Sequence, residues 1–330
     1  MPLLHRRLFA GLVLSLAVCA SGVAAGEAEP FVSEARELPS GGDTLRGTLL
    51  VPAGNKPTPV VLFLPGSGPM DRDGNAASLP GKGNPTRQMA EDLARQGVAS
   101  LRFDKRGIGQ SKMAAKPDTL RFETYIDDAV AWGEMLRKDP RFSSLTIVGH
   151  SEGSLIGMPA VRKLKAEGYV SLAGSSLPAK DILMRQFAGA GLAEADLKAM
   201  RNAFEQVERG EPASGYVPAY AMLFHPDVQG YMRSWMAYDP TVEIAKLKQP
   251  ILVIQGTNDF QTVVDDARRL AAASKSAKLV LIENMTHFLK VEPSPDRMVQ
   301  VASYTDPKLH VPAQLVSEIA TYAKARDKAR

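Results

Sequence analysis

The chain has 330 residues, of which 45% are hydrophobic and 23% are charged, so it has apolar material for a large core and does not have the composition of a disordered protein. Its formal net charge is +4, and basic residues do not cluster before the last turn of the chain, which argues against a nucleic-acid-binding protein. A single cysteine excludes a disulfide framework and a zinc site built from cysteines.

The N-terminus has the pattern of a secretory signal peptide. A basic segment, H-R-R at 5–7, precedes an apolar run at 8–20 that is too short to span a bilayer comfortably. Small residues at 23–25 then fit a signal-peptidase site, so we expect residues 1–25 to be removed. This predicts a periplasmic or secreted protein with no stable membrane insertion after cleavage, and an uncleaved membrane anchor is the alternative.

The mature chain is predicted to open with a β-hairpin. Residues 31–38 and 44–51 flank a Ser-Gly-Gly-Asp turn at 40–43. The next strand is the apolar run at 60–64, whose lack of alternation is typical of a strand buried on both faces of a parallel sheet.

Helices and strands then alternate. Asn84 is predicted to cap a helix that has Pro85 at its first position and ends at Gly97. A strand at 98–104 and a helix at 120–138 follow. The later predicted elements are strands at 145–148 and 169–173 with a helix between them, a strand at 251–256, a helix at 262–274, a strand at 278–283 and a last helix after Pro312.

This alternation predicts an α/β fold with a mostly parallel central sheet flanked by helices. Residues 178–245 interrupt it with several helices and no strands. We therefore expect one α/β core, formed by residues 26–177 and 246–330, with residues 178–245 inserted as a helical cap after strand 6. Two independent domains are the alternative, but the strands after position 250 would then lack partners.

The strongest chemical signal is G-H-S-E-G at 149–153. It matches the G-x-S-x-G pattern and lies between an apolar strand and a predicted helix, as a nucleophile elbow requires. The turn is so tight that glycine must flank Ser151 on both sides. Ser151 is therefore the predicted nucleophile.

A serine hydroxyl needs a base, and His287 is the predicted one because it follows the strand at 278–283. His310 is the main rival for this role. The base in turn needs a carboxylate to hold its tautomer, and Asp259, just past the strand at 251–256, is the predicted partner. The alternative for Asp259 is an ordinary helix N-cap.

The oxyanion of an acyl-transfer reaction needs preorganised donors. We expect one from the backbone N–H of Glu152, which follows the nucleophile. The other is expected from the small-residue loop 65–69, with Ser67 as the first choice and Gly68 as the second.

Together these motifs resemble the α/β-hydrolase superfamily, in particular its secreted bacterial serine esterase and peptidase-like members. The order Ser151, Asp259, His287 is the one this fold uses. The turn D-K-R-G-I-G-Q-S at 104–111 resembles the family's turn after its fourth strand, and the loop after residue 64 resembles its oxyanion loop.

The resemblance implies a serine hydrolase that cleaves small-molecule carboxylic esters through an acyl-enzyme. An aminopeptidase or amidase of the proline iminopeptidase type is the alternative, and a non-catalytic binding protein of the same fold is a further one. We expect no cofactor and no metal, because Gly81-Lys82-Gly83 lacks the Ser or Thr of a P-loop and the segment 71–75 lacks the glycine spacing of an EF-hand. The sequence carries no signal for an oligomeric state.

Overall fold

The computed structural model describes residues 30–327, so the predicted signal peptide lies outside the described residues. The chain opens with the antiparallel hairpin of β1 (Phe31–Ser40) and β2 (Asp43–Pro52), which confirms the predicted turn between them. The other strands are β3 (Thr58–Leu64), β4 (Ala99–Phe103), β5 (Phe142–His150), β6 (Gly168–Leu172), β7 (Ile251–Gly256) and β8 (Ala277–Ile282).

The eight strands form one sheet in the order β1-β2-β4-β3-β5-β6-β7-β8. β2 pairs antiparallel with β4, and every pair from β4 to β8 is parallel. This is the predicted mostly parallel sheet. The carboxyl ends of its parallel strands meet at one edge, which is where ligands bind in such sheets.

Helices cover both faces of the sheet. The helices of the core are α1 (Pro85–Arg95), α2 (Phe122–Lys138), α3 (Glu152–Leu164), α8 (Val264–Ala272), α9 (Arg297–Tyr304) and α10 (Ala313–Asp327). Side chains of α2, α3 and α8 share one hydrophobic cluster, and those of α1 and α10 share the other. Strands β3, β5 and β7 send alternate residues into the two clusters, which explains why apolar residues occupy both faces of these strands.

An all-helical segment follows β6. It contains α4 (Ala179–Gly189), α5 (Glu194–Arg209), α6 (Pro226–Met236), α7 (Pro240–Ala245) and a 3₁₀ stretch, Pro218–Phe224. Its buried rings pack on one another, with Phe204 against Phe187 and Phe224. Most of its aromatic side chains therefore hold this segment together.

The structure corrects one local prediction and adds one helix that the sequence did not reveal. Helix α1 begins at Pro85 as predicted, but the side chain of Asn84 does not cap it. Asn84 has a left-handed backbone, and its side chain instead accepts a hydrogen bond from the Asn75 amide in the preceding loop. Helix α9 was not predicted, because its segment follows two prolines and is short.

Within residues 30–327, no helix is long and apolar enough to cross a bilayer.

Candidate active site

Ser151 lies at a strained turn between β5 and α3. Its φ and ψ are 53° and −120°, a conformation that non-glycine residues rarely adopt. A Cβ on Gly149 would overlap the backbone of Gly153, and a Cβ on Gly153 would overlap the carbonyl oxygen of Leu64 on β3. This crowding is the physical reason for glycine on both sides of Ser151.

His287 lies in the loop after β8, with its ring facing Ser151. The distance between His287 Nε2 and Ser151 Oγ is 3.1 Å, and only 3% of the histidine is exposed. The loop is held by a hydrogen bond from the Thr286 N–H to the Lys290 carbonyl oxygen, at 2.8 Å. The imidazole is therefore presented to the serine hydroxyl by an ordered turn.

Asp259 lies in the loop after β7, on the other side of the imidazole. Its Oδ2 is 2.8 Å from His287 Nδ1, and its Oδ1 accepts the backbone N–H groups of Gln261 and Thr262. Burial alone would raise the pKa of Asp259, but His287 and these N–H groups outweigh it and hold the pKa below its usual value. The carboxylate therefore stays ionised and fixes the His287 tautomer that carries its proton on Nδ1.

The other described histidines do not reach Ser151. His310 is 54% exposed and lies 3.6 Å from Asp92 on α1. His225 is half-exposed and accepts the Asp227 N–H at the start of α6. His150 donates from Nε2 to the carbonyl oxygen of His287 at 2.8 Å, and burial together with the neighbouring imidazole lowers its pKa to about 4. It is therefore neutral at pH 7 and supports the loop that carries His287.

Two backbone N–H groups beside Ser151 have no acceptor among residues 30–327, namely those of Ser67 and Glu152. Glu152 begins α3, so its N–H lies at the positive end of the helix dipole. Ser67 lines both cavities that Ser151 lines, whereas Gly68 lines neither. The arrangement favours Ser67 over Gly68 as the second donor.

The turn after β4 anchors the loop that contains Ser67. Asp104 accepts the backbone N–H of Arg72 at 2.8 Å and pairs with its guanidinium at 2.6 Å. It also accepts the N–H of Gln110, and a Cβ on Gly109 would overlap its carboxylate. The sequence alone did not identify Arg72 as the partner, because no local pattern links it to a residue 32 positions away.

Two cavities meet at Ser151. The wider cavity has a volume of about 250 Å³ and is lined by His287 and Tyr304, among others. The narrower cavity has a volume of about 50 Å³ and is lined by Leu183 and Trp235 of the helical segment, among others. Sequence reasoning missed the wider cavity, because Tyr304 belongs to the unpredicted helix α9.

No group of three or more His, Cys, Asp or Glu side chains in the described part of the chain is arranged to hold a metal ion.

Comparisons with known proteins agree with this fold. A family model described as serine aminopeptidase, S33 (Hydrolase_4) matches residues 83–208. Esterase EstD of Thermotoga maritima is 24% identical over 286 residues, which span 84% of this chain and 65% of that protein.

Solved structures of the same fold include esterases and a peptidase. Est1E from Butyrivibrio proteoclasticus, bound to ferulic acid, has a TM-score of 0.56 at 16% identity and covers 88% of this chain and 99% of its own. The Mycobacterium smegmatis proline iminopeptidase has a TM-score of 0.58 at 15% identity, with coverages of 90% and 99%. The sheet order, the elbow between β5 and α3 and these matches show that the chain has the α/β-hydrolase fold and is similar to esterase- and peptidase-like hydrolases.

Proposed function

We propose that this protein is a serine hydrolase that cleaves carboxylic esters through an acyl-enzyme on Ser151. The observation that carries the proposal is an unbroken chain of contacts from Ser151 Oγ to His287 Nε2, at 3.1 Å, and from His287 Nδ1 to Asp259 Oδ2, at 2.8 Å. These three residue types in this geometry activate a hydroxyl that is otherwise a weak nucleophile.

In the first half of the reaction, His287 takes the proton of Ser151 as Oγ attacks the ester carbonyl carbon. Asp259 stabilises the imidazolium that forms. The negative charge on the carbonyl oxygen is received by the N–H groups of Ser67 and Glu152, which have no other acceptor among the described residues. His287 then gives the proton to the alcohol oxygen as the carbon–oxygen bond breaks.

In the second half, His287 takes a proton from water and the resulting hydroxide attacks the acyl-enzyme. The same two N–H groups stabilise the second tetrahedral intermediate. As the bond between the carbonyl carbon and Ser151 Oγ breaks, His287 gives its proton to Oγ, which releases the acid and regenerates Ser151. These steps use only this chain's residues and water, so the proposal requires no cofactor.

An aminopeptidase is the second candidate, and the family model and the proline iminopeptidase neighbour favour it. An aminopeptidase must hold the free ammonium of its substrate, which calls for an available carboxylate. In the described part of the chain, Glu152 is the one acidic residue lining the two cavities, and its Oε2 is already paired with Lys105 at 3.1 Å. This pairing favours ester substrates, as does the esterase relative. A non-catalytic binding protein would have no need for the complete relay.

The test is a set of p-nitrophenyl esters beside aminoacyl naphthylamides, assayed with wild type and Ser151→Ala. Ester hydrolysis that is lost in Ser151→Ala supports the proposal. Brisk amide cleavage with negligible ester hydrolysis would favour the aminopeptidase, and no turnover of either class would favour the binding protein.

We also propose export through the signal peptide at residues 1–25, supported by the sequence pattern described above. N-terminal sequencing of the protein from the periplasmic and medium fractions tests this. The proposal expects a mature chain beginning at Gly26, and a chain that keeps its first residues would contradict it.

A further inference from the structure

The two cavities at Ser151 differ in size and in their relation to the proposed general acid. Both include Ser67 and Ser151 in their walls. The wider one includes His287 and not Glu152, and the narrower one includes Glu152 and not His287. An ester bound at Ser151 therefore has two distinct places for its two halves.

The position of His287 decides which half goes where. His287 Nε2 must deliver a proton to the departing alcohol oxygen, which requires that oxygen to lie within hydrogen-bond reach of the ring. The alcohol half then extends into the cavity that His287 lines. The acyl half occupies the other cavity, beside Glu152 and the residues of the helical segment.

The volumes set the size of each half. At roughly 30 Å³ for a water-sized group, the narrower cavity of about 50 Å³ holds one or two carbon groups beyond the carbonyl. By the same measure the wider cavity of about 250 Å³ holds a six-membered ring with substituents. The acyl side is therefore the restrictive one.

The walls of the wider cavity indicate the chemistry of the alcohol. The rings of Phe288 and Tyr304 stack with centroids 4.4 Å apart and an interplanar angle of 18°, which gives the cavity a flat aromatic wall. Among residues 30–327, no Asp, Glu, Lys or Arg lines this cavity, so the described walls offer no charged partner for a charged alcohol. Flat, uncharged groups bind well against aromatic faces.

We propose that the preferred substrates are esters of short acids, acetyl or propionyl, with bulky uncharged alcohols that carry a ring. This inference rests on the proposed function and specifies its substrate class.

Two substrate series test it, using the full-length mature chain. The first is a series of p-nitrophenyl esters from acetate to octanoate. Once the acyl chain is longer than the narrower cavity can hold, kcat/KM should fall at least about tenfold for each further methylene. In the second, acetates of methanol, benzyl alcohol and naphthylmethanol, which are all alkyl esters, should be hydrolysed with kcat/KM that rises with the size of the alcohol.

Two variants separate the cavities. Leu183→Ala enlarges the narrow cavity and should shift the optimum toward longer acyl chains while leaving the ranking of alcohols unchanged. Phe288→Ala should reduce the differences in kcat/KM among the acetates of different alcohols and leave the preferred acyl chain length unchanged. Octanoate cleaved as fast as acetate, or rates that fall as the alcohol grows, would overturn the inference. Absence of all ester hydrolysis in the wild type would instead refute the proposed function.

A buried ammonium carries a second inference. Lys105, in the turn after β4, is 5% exposed, and its Nζ lies 3.1 Å from Glu152 Oε2 and 3.2 Å from the carbonyl oxygen of Gly66. It also lies 4.4 Å from the ring centroid of Tyr125. Burial alone would lower the pKa of Lys105, but the adjacent Glu152 carboxylate outweighs it, so the ammonium stays charged.

This ammonium touches both halves of the proposed oxyanion site. The Gly66 carbonyl and the Ser67 N–H belong to one planar trans peptide and point in opposite directions. A hydrogen bond that fixes the carbonyl oxygen therefore also fixes the direction of the N–H. Glu152 provides the other donor, and the same ammonium holds its side chain. We infer that Lys105 is a positioning residue that aims both donors at the developing oxyanion of the proposed reaction.

The test compares the double variant Lys105→Met with Glu152→Gln, which leaves no unpaired buried charge, with the wild type. We expect kcat to fall about tenfold to a hundredfold, less than the loss of a whole donor, with KM little changed. Affinity for a trifluoromethyl ketone, which forms an oxyanion on Ser151, should fall by the same factor. Affinity for the matching methyl ketone, which forms no oxyanion on Ser151, should stay unchanged.

Lys163→Met, which removes an exposed lysine paired with Asp127, is the matched control and should not change kcat. Unchanged trifluoromethyl ketone binding in the double variant, or equal losses for both ketones, would overturn the inference. Wild type without ester turnover would count against the proposed function instead.

Discussion

Replacing Asp259 with asparagine separates catalysis from folding. In the wild type, Oδ1 accepts the N–H groups of Gln261 and Thr262, while Oδ2 accepts from His287 Nδ1. The asparagine oxygen would keep the two backbone donors, which places its NH₂ group against His287 Nδ1. An NH₂ group donates only to an unprotonated Nδ1, so the histidine proton moves to Nε2 and the ring cannot take the proton of Ser151.

The expected loss is large for turnover and small for stability. The wrong tautomer should lower kcat by about 10⁴, equivalent to about 5 kcal/mol in the barrier, as in the analogous change in serine proteases. The Gln255 amide that also donates to Oδ2 keeps the carbonyl oxygen of Thr262 at 2.8 Å as an acceptor. The free energy of unfolding should therefore fall by only about 1 kcal/mol.

The assay is p-nitrophenyl acetate hydrolysis beside a thermal melt of each variant. Asp265→Asn is the matched control, because this carboxylate lies nearby in sequence, is 66% exposed and pairs only with Arg268 in the described structure. It should leave kcat within about twofold. Asp259→Asn with turnover within about tenfold of wild type and an unchanged melt would show that another carboxylate partners His287.

Further expectations concern stability and cofactors. The free energy of unfolding in urea should fall by at most about 3 kcal/mol as the pH falls from 6.5 to about 4, because His150 gains its proton at higher pH in the unfolded chain than in the folded one. In His150→Gln this dependence on pH should be weaker, and an unchanged dependence would contradict a lowered pKa of His150. Gly153→Ala should lower the free energy of unfolding by about 2 kcal/mol or more, because the new Cβ would overlap the Leu64 carbonyl oxygen. A variant as stable as the wild type in a denaturation experiment would contradict this overlap. Lys290→Met should lower the free energy of unfolding by about 2 kcal/mol, because it removes the Nζ donor from the buried carbonyl oxygen of Gly83 and from two part-buried oxygens, on Gln88 and Leu309, and a loss under 1 kcal/mol would argue against that role. Overnight dialysis against EDTA should leave ester turnover unchanged, and recovery of lost turnover by added zinc would contradict a metal-free mechanism.

The sequence sufficed to predict those site residues that directly follow the strands of the sheet. Ser151, Asp259 and His287 each follow a largely apolar strand, and parallel strands bring their carboxyl ends to one edge. Strand identity and direction therefore sufficed to bring together three residues separated by up to 136 positions. The glycine spacing at 149–153 could likewise be interpreted from the sequence, because the tight turn at Ser151 leaves no room for side chains at positions 149 and 153.

Other parts of the site depend on packing that the sequence does not display. Lys105 and Glu152 are 47 positions apart, and both resemble ordinary surface residues until the fold buries them. Helix α9 has no long apolar repeat, and its clearest signal is Asp296, whose side chain accepts the N–H groups of Met298 and Val299. An aspartate before a short segment of mixed polarity is also common in loops, so the part of the cavity wall that Tyr304 forms could not be predicted.

The most direct measurement of the central claim is intact-mass spectrometry after treatment with a fluorophosphonate, followed by peptide mapping. We expect one adduct per chain, on Ser151, which disappears in Ser151→Ala and persists in Ser154→Ala, where the nearby buried hydroxyl that bonds Tyr169 is removed. A folded wild-type protein that forms no adduct, or forms it on another side chain, would contradict the proposed role of Ser151.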